Sequence, residues 1–162
     1  EGTDLFDDVY REVSVLAPRW LPLVRLFPET GGHGLAAAYG LRDLEERIHR
    51  RTVRLPSGGS LVFDRTEAMT VIDVNTGRDV RGADADDLAL RTDLEAVAEI
   101  ARQVRLRNLS GIVVADLVNL RLADHREQVT AALKKAVARD RGRTRVEGLT
   151  RLGLMEMTRT GT

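Results

Sequence analysis

Two carboxylates at the ends of apolar segments are the residues of this sequence best suited to chemistry. Asp73 and Asn75 stand two positions apart in the run MTVIDVN, so in a strand both side chains point to the same side. Asp116 ends a second apolar run, GIVVAD, in the same way. A carboxylate in such a place is costly to bury unless it is paired or binds a metal ion. The two acids and the amide form a hard oxygen-donor set that suits Mg²⁺ or Mn²⁺, with water filling the remaining positions.

The same residues also fit purely structural roles. Asp and Asn in a D-x-N-T-G stretch often bond to the nearby backbone of a turn, and an Asp at the end of a strand can cap the next element. A cation at this place would instead activate water and stabilise charge on a phosphoryl oxygen. Spacing alone leaves both interpretations open.

A basic cluster near the end of the sequence is the second candidate feature. Residues 134–159 carry eight Lys and Arg against three acids, a net charge of +5. Lys134, Arg141 and Arg143 belong to this run, and Arg107 ends a basic turn that could join it. A basic patch within a neutral protein is typical of a surface that binds a polyanion. The alternative is an ordinary solvated helix face.

The elements that must position these residues follow from hydrophobic patterning. Two β-rich runs at 60–63 and 69–74, joined by a polar link, predict a hairpin, and S-G-G-S at 57–60 is better explained as its entry than as a phosphate loop. We further predict helices over residues 4–16, 35–50 (with Gly40 as a weak point), 84–108 and 123–139, and extended segments over 20–27, 52–55, 144–149 and 152–157. Residues 111–118 predict a strand buried on both faces. This order favours an α/β layer fold, with a mixed sheet and flanking helices.

Composition excludes several classes of protein. The 162 residues are 43% hydrophobic and 31% charged, which is unlike a disordered chain, and contain no apolar stretch long enough to span a membrane. Cys is absent, so this chain holds no disulfide and no Cys-ligated zinc. The 25 basic and 25 acidic residues cancel, so net charge gives no reason to expect nucleic acid.

Long strings of the sequence resemble the catalytic region of the ribonuclease E/G family. They are RTVRLPSGGSLVFDRTEAMTVIDVNTG, TDLEAVAEIARQVRLRNLSGIVVADLV and RLGLMEMTR, in the family's order. The resemblance implies that residues 51–162 are a deoxyribonuclease-I-like catalytic subdomain and that residues 1–50 are the end of a ribonuclease-H-like segment. It also implies a metal-dependent endoribonuclease that cleaves single-stranded RNA to 5′-phosphate and 3′-hydroxyl products, in ribosomal RNA processing and messenger RNA decay.

Carried over by position, the resemblance assigns roles to individual residues. Asp73 and Asp116 would bind Mg²⁺ (or Mn²⁺), and Asn75 would orient the carboxylate–metal arrangement by hydrogen bonding. The basic residues Arg107 and Arg143 stand where the family has basic residues near the scissile phosphate, and Arg141 and Lys134 would add to the RNA-binding surface. Asn119 departs from the family, which often has Asp there.

The resemblance also sets expectations about the surroundings of this region. We expect a longer, cytoplasmic, homo-oligomeric parent in which an oligonucleotide-binding barrel and a 5′-end sensor precede these residues. The family's zinc-linking Cys pair would lie beyond Thr162, and no small-molecule cofactor is expected. Membrane association cannot be inferred from this region.

Two other hypotheses compete with a nuclease. In one, the region is a non-catalytic RNA-binding or assembly module and its acids are structural. In the other, it is a scaffold whose long helix packs against another subunit.

Overall fold

The computed structural model describes residues 3–27, 34–77 and 85–161, and the chain divides into two compact units, Glu1–Arg47 and Ile48–Thr162. The helices up to residue 48 are α1 (Thr3–Leu16), a short 3-10 helix (Pro18–Leu23), α2 (Leu35–Ala38) and α3 (Leu41–Ile48). The assignment of residues 1–50 to a ribonuclease-H-like segment stays a prediction. None of the described helices combines the length and the apolar character needed to cross a bilayer.

Two sequence predictions are modified in the first unit. The extended segment predicted over residues 20–27 is wrong in its first part, because Pro18–Leu23 is a 3-10 helix. Proline presets φ for a first helical turn, and the Trp20 N–H donates to the Ala17 carbonyl at 2.9 Å. The helix predicted over residues 35–50 is interrupted at Gly40, whose φ of 60° is left-handed and thus accessible to glycine.

The second unit is an α/β layer on a mixed six-stranded sheet, as predicted. Its elements are β1 (Thr52–Arg54), β2 (Ser60–Arg65), β3 (Met69–Asn75), α4 (Ala85–Leu106), β4 (Gly111–Asp116), α5 (Ala123–Val137), β5 (Thr144–Leu149) and β6 (Leu154–Arg159). The strand order is β1-β2-β3-β4-β6-β5, in which β3 and β4 are parallel and the other neighbours antiparallel. The predicted hairpin and long helix are confirmed, although residue 84 lies outside the described residues. The deoxyribonuclease-I-like assignment stays a prediction.

Both helices of this unit pack on the same face of the sheet. Inward side chains of β2, β3, β4 and β6 join buried residues of α4 and α5 in one hydrophobic cluster. Leu61, Ile72 and Val113, from three neighbouring strands, have no exposed surface. The prediction that residues 111–118 are buried on both faces is therefore wrong: Ile112, on the other face of β4, is 45% exposed. We call this second face, which no described helix of the unit covers, the open face.

Candidate functional site

Asp73 and Asp116 lie side by side on the open face. They are register partners on the parallel strands β3 and β4, near the carboxyl end of each. Both are exposed, while Ile72 and Ala115, the residues before them, are buried on the helix side. Neighbouring strands are about 4.8 Å apart, so the two carboxylates face solvent as close neighbours. The strand periodicity and parallel pairing produce this arrangement together.

Asn75 holds one of these carboxylates in place. Its Nδ2 donates to Asp73 Oδ2 at 2.6 Å. In the described part of the chain, no other side-chain hydrogen bond or ion pair engages Asp73 or Asp116. Two like charges this close raise each other's electrostatic energy, and a bound cation would remove that cost.

The donor set fits a hard divalent cation. No group of three or more His, Cys, Asp or Glu side chains able to hold a metal ion occurs among residues 3–27, 34–77 and 85–161. Mg²⁺ is commonly bound through one or two carboxylates, with water and substrate phosphate as the remaining ligands. The two carboxylates suit that mode, whereas they lack the nitrogen or sulfur donors typical of zinc.

Glycines fix the chain that carries Asn75. A Cβ at Gly59 would lie 2.6 Å from the Asn75 carbonyl oxygen, and a Cβ at Gly77 would lie 2.2 Å from the Gly58 carbonyl oxygen. The turn between β1 and β2 therefore packs directly against the chain that follows β3. This close approach explains the S-G-G-S and N-T-G strings and confirms S-G-G-S as the hairpin entry.

The loop after Asp116, residues 117–122, is held by side chains of both helices. Asp93 Oδ1 accepts from the Val118 N–H at 2.9 Å, and Asp86 Oδ1 accepts from the Arg121 N–H at 2.7 Å. Arg126 Nε donates to the Leu120 carbonyl at 2.7 Å. Asp86 and Asp93 are seven residues apart, about two helical turns, and so share one side of α4. The chain beside Asp116 is thereby fixed in a defined path.

The two loop-holding acids differ in their electrostatics. Asp93 has no exposed surface, and desolvation raises the pKa of its carboxyl to about 7, although the Val118 N–H opposes the shift. Its Oδ2 has no hydrogen-bond partner in the described part of the chain. At Asp86, the Arg121 N–H and the nearby His125 hold the pKa below its usual value against desolvation.

A cavity of about 330 Å³ opens beside Asp116. Its walls are Asp116 and residues 117–120, the side chains of Arg126 and Leu149, and the turn of residues 151–153 between β5 and β6. We call it the Asp116 cavity. Lys134 lines a second cavity along α5, which shares Arg126 and Leu149 with the first. Of the predicted RNA-binding residues, Lys134 is therefore the one whose cavity adjoins the Asp116 cavity.

Arg141 and Arg143 lie at the opposite end of the sheet. They flank Gly142 in the loop before β5, where Thr144 is in register with Arg159 and Gly111. Gly111 is five residues before Asp116 on β4, or roughly 17 Å along the strand. The structure thus does not bring these two arginines together with the carboxylates.

A buried ion pair supports that loop. Arg159 Nε donates to Asp140 Oδ2 at 2.6 Å, and both side chains are almost fully buried. Arg159 also donates to the Leu109 carbonyl. Hydrogen bonding from Arg159 lowers the pKa of Asp140 to about 2. Arg141 and Arg143 are exposed in the loop that this ion pair supports. Their backbone is therefore held in place although their side chains face solvent.

Arg107 lies on the side of the sheet that the helices cover. Its guanidinium stacks 4.2 Å above the centre of the Phe63 ring, and Phe63 points to the helix side. Nε donates to Gln103 and Nη2 to the Arg50 carbonyl, each at 2.8 Å. Much of its bonding capacity is therefore used within the protein, away from Asp73.

Sequence reasoning did not assign a site role to Asp93, Arg126 or Arg151. Arg151 was visible only as one charge of the basic run. The signal for Asp93 is its place among Ala89, Val97 and Ile100, an apolar stripe at helical spacing where a carboxylate needs a partner. Nothing in the pattern identifies that partner, because the Val118 amide is 25 residues away.

Comparison with known proteins gives a consistent result. The profile of the Ribonuclease E/G family matches residues 1–162. Ribonuclease E of Haemophilus influenzae is 40% identical over 159 residues, which are 98% of this chain and 17% of that protein. Ribonuclease E of Escherichia coli K12 is 45% identical over 130 residues (80% and 12%), and ribonuclease G of the same strain is 46% identical over 129 residues (78% and 26%). The chain thus spans about a quarter or less of the length of these relatives.

Proposed function

This chain belongs to the ribonuclease E/G family, and we propose that it carries the hydrolytic centre of an endoribonuclease that acts on single-stranded RNA. In this proposal Asp73 and Asp116 bind a divalent cation, Mg²⁺ or Mn²⁺, and cleavage leaves a 5′-phosphate and a 3′-hydroxyl. The names of the relatives support a ribonuclease. The dependence on a divalent metal and the identity of the cleavage products are part of this proposal.

The observation that carries the proposal is the pairing of Asp73 with Asp116 in register on an exposed sheet face. Asn75 fixes the orientation of the Asp73 carboxylate, so one ligand of the pair is oriented before a cation arrives. A bound divalent cation lowers the pKa of a coordinated water and offsets charge on phosphate oxygens. The role of this chain is to hold that cation and to position the phosphodiester beside it.

The basic residues suit a sequence-independent grip on RNA. Lys134 lines a cavity that adjoins the Asp116 cavity. Arg141 and Arg143 lie at the end of the sheet opposite the carboxylates, roughly 17 Å away along the strands. Phosphate contacts by Lys and Arg position a nucleic acid without reading its sequence, and their affinity falls as salt rises. We propose that Arg107 supports the fold beside β2 more than it contacts RNA.

Metal titration tests the proposal directly. In an NMR-monitored Mg²⁺ titration of this chain, signals of residues around 73–75 and 116 should shift in a saturable way. Asp73→Asn and Asp116→Asn should abolish the shifts. Asp64→Asn is the matched control, because Asp64 lies on the open face but is paired with Arg51 at 2.7 Å. Saturable binding that persists in both site variants would refute the proposal.

A non-catalytic RNA-binding module is the second candidate, and the Arg141–Arg143 loop favours it. This loop is exposed, structurally supported and distant from the carboxylates. If this loop is the functional surface, the affinity for RNA will fall in Arg141→Gln and Arg143→Gln and as salt rises. The affinity will not change in Asp73→Asn or when a divalent metal is added. A scaffold would show no salt-sensitive RNA affinity at all.

Wider features of the parent are also part of the proposal. We propose a cytoplasmic, homo-oligomeric protein that takes part in ribosomal RNA processing and messenger RNA decay. These rest on family membership alone.

A further inference from the structure

The Asp116 cavity has unused polar groups on its walls. Among the described residues, Arg126 uses only Nε, on the Leu120 carbonyl, while the side chains of Arg151, Asn119 and Asp116 make no hydrogen bond or ion pair. Two guanidinium groups and an amide thus stand around a space in which Asp116 supplies the negative charge. Such walls favour a ligand that is anionic at one end and carries polar edges at the other.

Apolar side chains complete the walls. Leu149 is partly buried in the core, whereas Leu152 is 85% exposed at the mouth of the cavity. An exposed leucine beside two guanidinium groups offers an apolar contact next to a charged one. The volume of about 330 Å³ is at the lower end of the range for small-ligand sites, roughly 300–1,000 Å³, and suits one nucleotide.

The wall of the cavity is ordered without a ligand. Asp93 and Asp86 accept from the backbone N–H groups of Val118 and Arg121, and these bonds fix the segment that carries Asn119. An ordered wall loses little conformational entropy when a ligand binds. Together with the bond from Arg126 to the Leu120 carbonyl, these bonds shape the cavity as well as the approach to Asp116.

From these observations we propose that the Asp116 cavity is a subsite for one nucleotide of single-stranded RNA, next to the phosphodiester held at Asp73 and Asp116. The proposal rests on the nuclease function proposed above. Arg151 and the free end of Arg126 contact a backbone phosphate. Asn119 meets a base edge, and Leu149 and Leu152 contact the face of the base or ribose. Unstacked single strands expose these groups to a protein.

The test is an NMR titration of this chain with uridine 5′-monophosphate in the absence of divalent metal, with inorganic phosphate as a second probe. Amide signals of residues 117–122 and 150–153 should shift in a saturable way. Arg151→Gln should weaken the affinity about tenfold, the loss expected for one charge-assisted contact. Arg91→Gln, which removes an exposed arginine of α4, is the matched control and should bind like the unaltered chain. Leu152→Ala should weaken binding of the nucleotide but not of phosphate.

Arg151 is the primary position because its side chain bonds to no group among the described residues, whereas Arg126 also holds the Leu120 carbonyl. Absence of saturable shifts at these amides, or equal affinity in Arg151→Gln and Arg91→Gln, overturns the subsite. Equal affinity for phosphate and nucleotide also overturns it, because the cavity would then recognise an anion alone. The metal titration of Asp73→Asn tests the nuclease proposal separately, so either proposal can fail while the other stands.

Discussion

Asp93→Asn should stabilise the protein at alkaline pH and leave it almost unchanged near pH 4. The folded carboxyl has a pKa of about 7, raised from 3.8 by burial. Between these two values the folded protein binds a proton that the unfolded chain lacks, so the contribution of Asp93 to stability falls as pH rises. About three pKa units at about 1.4 kcal/mol each correspond to a loss of roughly 4 kcal/mol that is complete above pH 7.

The substitution keeps the geometry and removes the titration. The asparagine side chain retains an oxygen that can accept from the Val118 N–H, as Asp93 does, and it cannot ionise. Urea unfolding of both proteins from pH 4 to pH 8.5 gives their difference in free energy at each pH. That difference should be near zero at pH 4 and should grow to a few kcal/mol, by which the variant is the more stable, at pH 8.

Asp87→Asn is the matched control, because Asp87 is exposed on the same helix. Its difference from the unaltered protein should stay flat over the same pH range. If the Asp93→Asn difference is also flat between pH 5 and pH 8, Asp93 does not carry the proton assigned to it. The argument from its burial would then be refuted.

Three further predictions concern the site and its supports. Asn75→Ala should weaken Mg²⁺ binding about tenfold, because the bond that orients Asp73 is lost; calorimetry measures this, and an unchanged Kd would contradict it. Arg159→Met should lower the free energy of unfolding by about 3–5 kcal/mol, because Asp140 would remain buried and unpaired; a loss below 1 kcal/mol in urea unfolding would count against the buried pair. Gly59→Ala should cost about 1–3 kcal/mol and disturb the Asn75 amide signal, since its Cβ would lie 2.6 Å from the Asn75 carbonyl; a normal Tm and spectrum would argue against this close packing.

Local patterning predicted most elements of the second unit. The alternation in MTVIDVN determines which side chains share a face, and the observed burial follows it. The long amphipathic helix and the closing strands were predictable for the same reason, since side-chain periodicity reflects backbone geometry directly. The prediction that residues 111–118 are buried on both faces was wrong because an apolar run does not determine how many faces of a strand are covered. Val113 is buried, but Ile112 is 45% exposed.

The sequence by itself determined that Asp73 and Asn75 share a face and that Asp116 ends a second apolar strand. Only the tertiary structure placed Asp116 in register beside Asp73, because pairing of β3 with β4 joins residues 43 positions apart. The structure alone also separated Arg141 and Arg143 from the carboxylates and connected Asp93 to the Val118 amide. Periodicity is a local property that the chain carries in its order of residues. Register and the partners of buried polar groups depend on which distant segments pack together, and that is decided only when the core forms.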